Sequence, residues 1–510
     1  MRLFTREQAQ ALDQISMNEM GIQGVTLMGN AGQQVAKKAM ALLTEVHDPS
    51  ILIICGQGNN GGDGFAAGVE LYKDNYNVRL HSIPDPETIG EDSGHFFNKC
   101  ESLEIPITFG IEVPDIRTPD LIIDGIFGTG FIGELRAPII PWVHWIRRSD
   151  SIVLSIDIPS GLDCNSGRAI PEGVKAHSTV TFGCQKVGMS FRQGPDYSGE
   201  ITIGEIGFPP LNKIDLPGLE WDLFTESIAQ NILKKPRIDT HKHASGKVLV
   251  IAGSKGMTGA AVLSTFGALR SGAGLTMTTS PSSLNEIYER SIIEGMTLGL
   301  DDHGHGYLSA EHFNSIMEKM AWADAVVLGP GLGREKETQQ LIKKLVQTIQ
   351  KPLVLDADGL FPFSGNIGEL NQRRSPLVIT PHLGELANLS GLDKENIVSD
   401  FPNVMEKFMA DFNHVALVKQ VPSCTFFDNR AIVNSSGNPG LATGGTGDVL
   451  SGMIASFIAQ GITPSEAASL GTFIHGKTSD QLVIEKGYRG QIASDLIEKI
   501  PGVIAQYENS

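Results

Sequence analysis

The chain has 510 residues, 41% hydrophobic and 19% charged. That is enough for two large or three ordinary domains, and its apolar content excludes disorder as the main state. A net charge of −18 argues against nonspecific binding to nucleic acid or anionic membrane, and its 58 clustered glycines suit backbone-mediated phosphate binding rather than a collagen-like repeat.

The opening MRLFTREQAQALDQ lacks the apolar run of a signal peptide, and no run of 18 apolar residues follows. A cytoplasmic chain that does not span a membrane is expected. Five cysteines without CxxC spacing signal neither a disulfide framework nor a zinc site. Short apolar runs at 51–55, 78–83, 121–126 and 152–156 predict buried strands, with a helix over 65–75 after the first. A Pro-rich stretch, 207–240, has no strong strand signal. Strands resume at 248–252, 325–328, 353–355, 377–379 and 415–418. The alternation of strand and helix predicts α/β folds with largely parallel sheets, divided near residue 220.

The first strand runs into glycines in ILIICGQGNNGGDGF, and a helix is predicted from about Gly64. Such a turn offers backbone N–H groups and a helix N-terminus to an anion. Gly56, Gly58 and Gly61 match GxGxxG, as do Gly128, Gly130 and Gly133 in IFGTGFIG. The first loop is polar, however, and Asn59, Asn60 and Asp63 suit a cation or a sugar as well as a phosphate. Two more strands end in carboxylates, Asp124 in LIIDG and Asp157 in SIVLSIDIPSG. A carboxylate at a buried strand tip is costly unless it is paired, bound to a cation or engaged in chemistry. The competing reading is an Asp that caps a loop or helix.

In the second half, GNPGLATGGTGDVLSGMIASFIAQG is the strongest local signal. Gly444, Gly445 and Gly447 precede an apolar helix, whose exposed amides and dipole make an anion hole. Asp448 lies in its first turn. There a carboxylate can take a proton from a hydroxyl while the amides stabilise a transferring phosphoryl group; N-capping is the simpler alternative. Gly329, Gly331 and Gly333 in VVLGPGLG, and Asp356 and Asp358 in VLDADGL, also follow strands. His382 and Glu385 lie in VITPHLGEL, and Lys419 follows a strand in position for a nucleotide phosphate. The run GTFIHGKT at 471–478 matches the P-loop pattern but follows a helical run, so it is read as helix interior.

The run CGQGNNGGDGF, then DGIFGTG, then SIDIPSGLDCNSG resembles the NAD(P)H-hydrate epimerase family (the YjeF N-terminal domain) over roughly residues 1–215. The resemblance implies a Rossmann-like three-layer domain that interconverts the two epimers of NADH or NADPH hydrated at C6 of nicotinamide (NADHX and NADPHX). It implies that Asn59, Asn60, Gly61, Gly62 and Asp63 hold the substrate, and that Gly128, Thr129, Gly130, Phe131, Ile132, Gly133 and Glu134 cradle its phosphate. Asp157 would work at the ring, and Asn60, Asp124 and Ser160 would bind K⁺. From about 225 to 510 the chain resembles the ADP/ATP-dependent NAD(P)H-hydrate dehydratases of the ribokinase-like superfamily. The carriers are HKHASGKVLVIAGS, GMTGAAVLS, GPGLG, DADGL, TPHLGE and GGTGDVLSG. This implies that Ala260, Gly331, His382 and Asp448 contact the hydrated nucleotide. Lys419, Gln420, Val421, Pro422, Ser423 and Gly447 would contact an ADP that arrives with Mg²⁺. Three positions depart from the pattern: His243 where glycine is usual, Leu383 where proline is usual, and Gln420-Val421-Pro422 where a small residue follows the lysine.

The expectation is a bifunctional repair enzyme. Residues 1–220 would form the epimerase domain. Residues 221–510 would form the dehydratase domain, which phosphorylates the C6 hydroxyl with Asp448 as base and releases phosphate, converting ADP to AMP. Small molecules are the expected partners, in a homo-oligomer, with neither nucleic acid nor membrane. The rival readings are a ribokinase-like small-molecule kinase with a regulatory N-terminal domain, a nucleotide-sensing scaffold without catalysis and, from the GxGxxG matches, an oxidoreductase.

Overall fold

The structure is a computed structural model that describes residues 1–113 and 117–508. The chain divides into two compact units, Arg2–Trp221 and Asp222–Ser510, with Met1 counted in the second.

The first unit is built on a seven-stranded parallel sheet. Its spatial order is Ile107–Phe109, Asn77–Ser82, Ser50–Cys55, Leu121–Gly125, Ile152–Ile156, Ser178–Phe182 and Glu200–Gly204. Side chains alternate between two buried faces. Ile51, Ile53 and Cys55 pack with Phe65, Ala67 and Val69, whereas Leu52 and Ile54 pack with Trp142, Val143 and Ile146. Two covered faces explain why SILIIC is continuously apolar. From Ser50–Cys55 the sheet is extended on one side by Asn77–Ser82 and on the other by Leu121–Gly125. The crossovers therefore leave that strand in opposite directions, and a crevice opens at its carboxyl end.

The helix predicted from Gly64 begins earlier, at Asn59, and runs to Lys73 with Gly58 as its N-cap. The reason is close packing. A Cβ on Gly61 would lie 1.9 Å from the Gly56 carbonyl oxygen, so only a bare residue lets the helix start directly against the turn.

The second unit repeats the principle. Met296–Leu300, Leu275–Pro281, Lys247–Ile251, Ala325–Leu328, Leu353–Leu355, Leu377–Ile379 and Val415–Val418 lie in parallel, followed by the antiparallel strands Cys424–Phe427 and Arg430–Val433. Val248, Val250, Val327 and Val354 pack against helices through residues such as Val449, Met453 and Ile474. The helices Thr258–Arg270 and Thr446–Ala459 meet backbone to backbone. A Cβ on Gly452 would lie 1.9 Å from the Ser264 carbonyl oxygen, and one on Gly267 would lie 2.3 Å from that of Val449. Gly452→Ala is therefore expected to destabilise the second unit by ~1–3 kcal/mol through overpacking. Thermal unfolding checks this; a variant that melts with the parent would show that the helices have room to separate.

Several strands lack the apolar run that marks the others. Ser178–Phe182 (STVTF) and Leu275–Pro281 (LTMTTSP) are rich in hydroxyls. Ser178 and Thr179 are nevertheless buried, because their hydroxyls donate to the carbonyls of Glu200 and Ser198, each at 2.7 Å. The Pro-rich stretch holds a short strand, Glu220–Leu223, and a helix, Glu226–Ile232. The P-loop look-alike lies inside the helix Pro464–Lys486. All five cysteines are buried and none forms a disulfide. Among the described residues, no helix is long and apolar enough to cross a membrane.

Candidate active sites

The carboxyl ends of the first sheet open on a cavity of about 1050 Å³. Two strand-end turns touch there, since a Cβ on Gly56 would lie 1.9 Å from the Ile126 carbonyl oxygen. Asn60, buried in the first turn of its helix, donates from Nδ2 to the Phe127 carbonyl at 3.0 Å. Ser160 donates from Oγ to Asp124 Oδ1 at 2.6 Å, and the Phe127 N–H donates to the same hydroxyl at 2.9 Å. Asp124 Oδ2 accepts from the Ser160 N–H and the Ser155 hydroxyl, both at 2.9 Å. Asn60 and Ser160 therefore meet at the backbone of Phe127, and Ser160 carries the link on to Asp124. Burial pushes the Asp124 carboxyl up, and these hydrogen bonds offset it only in part. Its bonded neighbours are hydroxyls and N–H groups, so a compensating positive charge fits this set of amide, hydroxyl and carboxylate oxygens.

The glycine loop from Gly128 turns back on itself, with the Phe131 N–H donating to the Gly128 carbonyl at 3.1 Å. Nothing lies within 4 Å of a Cβ built on Gly130, and Ile132 is 70% exposed. Thr129 and Phe131 present their carbonyls to Arg6, which donates to them at 3.1 and 3.0 Å and pairs with Asp163 at 2.5 Å. Glu134 is exposed, as is Asn59 at the mouth of the helix. Gly62 is packed, since a Cβ there would lie 2.4 Å from Ser93 Oγ.

Asp157 has φ 63°, a left-handed conformation that costs roughly 1–2 kcal/mol outside glycine. Such strain persists where the surroundings over-determine it. The Asp157 N–H donates to the Val180 carbonyl at 2.7 Å. Its Oδ1 accepts from the Thr181 hydroxyl at 3.2 Å, from the Phe182 N–H at 3.3 Å and from the ammonium of Lys186. Asp13 and Asp63 line the same cavity. Burial and the repulsion of Asp157 push the Asp13 carboxyl up to about 6. Asp63 is held well above the carboxylate range by burial, then by Asp157 and Asp13.

Arg6, Asp13 and Lys186 carry no sequence motif. Arg6 and Asp13 could have been flagged as charged residues seven apart on the buried side of the helix Arg6–Asn18. Lys186 lies in CQKVG, with no signal, and reaches Asp157 only through tertiary folding.

In the second unit the predicted residues form two adjoining groups. Gly331 and Ala260 touch, with a Cβ on the former 2.9 Å from that of the latter. Around the helix Thr446–Ala459, Lys419 Nζ pairs with Asp356 Oδ1 at 2.7 Å, and Ser451 donates to Asp356 Oδ2 at 2.5 Å. Burial alone would raise the Asp356 carboxyl; Lys419 and Ser451 reverse that and hold it low. The same ammonium lies 3.4 Å from where a Gly447 Cβ would stand. Burial, then Asp356, and more weakly Asp358, push the Asp448 carboxyl up to about 7 against the pull of Lys419. Asp358 accepts the Gly333 N–H at 3.0 Å and so adjoins the Gly331 group. The Lys419 N–H donates to the Pro381 carbonyl, which sets His382 alongside. His382 caps the helix Leu383–Ser390 through Nδ1, which accepts from the Gly384 and Glu385 N–H groups. Its Nε2 is left as the protonated nitrogen. Ser451 carries no motif of its own; it lies one turn after Gly447.

Residues 24–188 match the family model of the YjeF-related protein N-terminus, and residues 248–502 match that of NAD(P)H-hydrate dehydratase. The bifunctional NAD(P)H-hydrate repair enzyme of Moorella thermoacetica is 32% identical over 517 residues, which cover 100% of this chain and 97% of that protein. The chain belongs to the bifunctional NAD(P)H-hydrate repair enzyme family. The repair enzyme of Salinibacter ruber is 31% identical over 99% of this chain and 96% of its own. A solved ADP/ATP-dependent NAD(P)H-hydrate dehydratase from Bacillus subtilis, co-crystallized with ATP/Mg²⁺, aligns with 56% of this chain and 98% of its own at 26% identity and a TM-score of 0.49.

The chain thus combines an NAD(P)H-hydrate epimerase and a nucleotide-dependent dehydratase. Its three departures fall at tolerant places. His243 is exposed. Leu383 is the first residue of its helix, a position that takes proline or leucine alike. Gln420 to Ser423 form the turn of the hairpin that follows Val415–Val418, with Val421 75% exposed.

Proposed function

We propose that the epimerase domain spans residues 1–220 and equilibrates R- and S-NAD(P)HX with Asp157 as its acid/base, and that the dehydratase domain spans 221–510 and repairs the S epimer with ADP as phosphoryl donor and Asp448 as base. What carries this reading is Asp448: a carboxyl whose pKa is pushed to about 7, on the first turn of a glycine-led helix and within the influence of Lys419. A base poised near neutrality beside an anion-binding turn suits transfer of a phosphoryl group to a hydroxyl.

In the dehydratase, Asp448 takes the C6 hydroxyl proton as that oxygen attacks the terminal phosphorus of ADP and AMP leaves. Phosphate then departs from C6 and a proton from C5, which restores the ring double bond. Ala260, Gly331 and His382 contact the hydrated nucleotide; Gly447 and the Lys419 to Ser423 segment contact ADP. Mg²⁺ would come with the nucleotide and neutralise phosphate charge. In the epimerase, residues 59–63 hold the substrate and residues 128–134 its phosphate. A K⁺ ion would be held by Asn60, Asp124 and Ser160 and would supply the positive charge that the buried Asp124 lacks. The chain acts in the cytoplasm on small molecules and assembles as a homo-oligomer.

The test is to mix the purified chain with both epimers of hydrated NADH, ADP or ATP, Mg²⁺ and K⁺. The absorbance of NADH should return in full. A stable phosphorylated product without NADH would favour a small-molecule kinase and overturn the reading.

A further inference from the structure

The charged groups of the epimerase cavity are not equivalent. Lys186 is 2% exposed and directs its N–H bonds inward, to Asp157 Oδ1, to the Thr181 hydroxyl at 2.8 Å and to the Phe182 carbonyl at 2.9 Å. An ammonium has three donors, so none is left for a ligand. Lys186 thereby holds Asp157 in place through Oδ1. Oδ2 accepts no hydrogen bond from any described residue, and Asp157 lines the cavity. Asp63 stands in the first turns of the helix Asn59–Lys73 and lines the same cavity. Its carboxyl likewise accepts no hydrogen bond among the described residues. The charged groups that face it are Asp157, Asp13 and Lys186. A second carboxylate beside Asp157, half-buried and without a hydrogen bond, is the form that such a place disfavours, so this carboxyl keeps its proton. One cavity therefore offers a carboxylate held by an ammonium and a second carboxyl, pushed toward its protonated form, held by nothing, which is the division of labour that acid–base catalysis needs.

We propose that Asp63 is a second catalytic residue of the epimerase reaction, the acid partner of the base Asp157, with Lys186 and Asp13 as positioning residues; the proposal rests on the assignment of this cavity and of Asp157 to epimerisation. The chemistry balances. The C6 hydrate is a hemiaminal, with hydroxyl and ring N1 on one carbon. Asp157 takes the hydroxyl proton, and the O–H electron pair becomes the second bond of C6=O. The C6–N1 bond breaks with its electrons going to nitrogen, and Asp63 delivers its proton there. The freed carbonyl turns its other face to N1. On reclosure N1 attacks C6, Asp63 recovers the N–H proton, and Asp157 returns its proton to oxygen. No oxidant and no net proton are needed.

The experiment uses the full chain with hydrated NADPH and reads R-to-S interconversion by chromatographic separation of the epimers. Asp63→Asn should lower kcat ~10²-fold or more with KM changed only severalfold, and Asp63→Glu should recover part of the rate. Because the acid must hold its proton, epimerisation should fall as pH rises through the Asp63 titration. Asp13→Asn removes a negative neighbour, so it should shift that alkaline limb to lower pH. An Asp63→Asn variant that raises KM at unchanged kcat, or that keeps both, overturns the proposal. If Asp63→Asn does not fold, the limb in Asp13→Asn decides, and an unmoved limb overturns it. Parental rates in both Asp63→Asn and Asp157→Asn would instead sink the assignment of the cavity; a parental rate in Asp63→Asn alone sinks only the acid.

Discussion

Asp448→Asn should lower nucleotide-driven dehydration by ~10²-fold or more and leave epimerisation at the parental rate. The amide keeps the shape of the side chain, the glycine-led helix start and the Lys419–Asp356 pair, so nucleotide should still bind. What disappears is the carboxyl proposed to take the hydroxyl proton. The parent gives an independent sign. Burial, then Asp356, pushes the Asp448 carboxyl up to about 7, and a base must be ionised to act. Dehydration should therefore be lost as pH falls below about 7, and the variant's residual rate should not follow that limb. Stability should move the other way. With its folded pKa raised above the unfolded value, Asp448 is protonated in the folded state and ionised in the unfolded chain between about pH 4 and 7, so it withdraws stability as pH rises through that window. The asparagine carries no such penalty, and Asp448→Asn should unfold at a higher temperature at pH 8. A variant that regenerates NADH at a near-parental rate would reduce Asp448 to a helix cap. One that no longer binds ADP would give it a structural or Mg²⁺-linked role.

The second large effect is expected at Asp157. Asp157→Asn should slow epimerisation by ~10²–10⁴-fold, and the endpoint of NADH recovery shows it most simply. Given both epimers, the parent should convert all of the substrate, whereas the variant should stop once the S epimer is consumed. Dehydration of pure S substrate should proceed at the parental rate. The substitution leaves the Lys186 ammonium buried without its carboxylate, which in general costs several kcal/mol. Here the Thr181 hydroxyl and the Phe182 carbonyl still accept from it, so the unit should fold at reduced stability. Full conversion of both epimers at the parental rate would remove Asp157 from the reaction.

Both experiments rest on residues that the sequence marks in different ways. The glycine clusters and strand-end carboxylates were legible from the chain itself, because their signals are local. A continuous apolar run such as SILIIC is a doubly covered strand, and a glycine run directly after it has few uses other than close backbone approach or an anion-binding turn. The α/β class, the parallel sheets and the choice of Asp157 and Asp448 as candidates follow from such patterns. Strands such as STVTF and LTMTTSP were hidden. Their hydroxyls read as polar until the backbone carbonyls that satisfy them are known, as Glu200 and Ser198 are for Ser178 and Thr179.

The sequence by itself thus determined which residues end the strands and open the helices. Only the tertiary structure decided what those residues face. Asp63 reads as one polar residue in a glycine loop, yet its character is set by Asp157 and Asp13, which approach it from distant parts of the chain. Lys186 lies 29 residues after Asp157 without motif or spacing rule, and it becomes that carboxylate's anchor because the chain beyond the strand Ser178–Phe182 brings it back to the same strand ends. Lys419 reads as a residue free to meet a nucleotide, and the fold gives it Asp356 first, 63 positions away. The physical reason is common to all three. Backbone conformation and strand or helix burial are specified by neighbours along the chain, whereas the charge state of a carboxyl depends on burial and on other charges a few ångströms away in space, which no local pattern encodes.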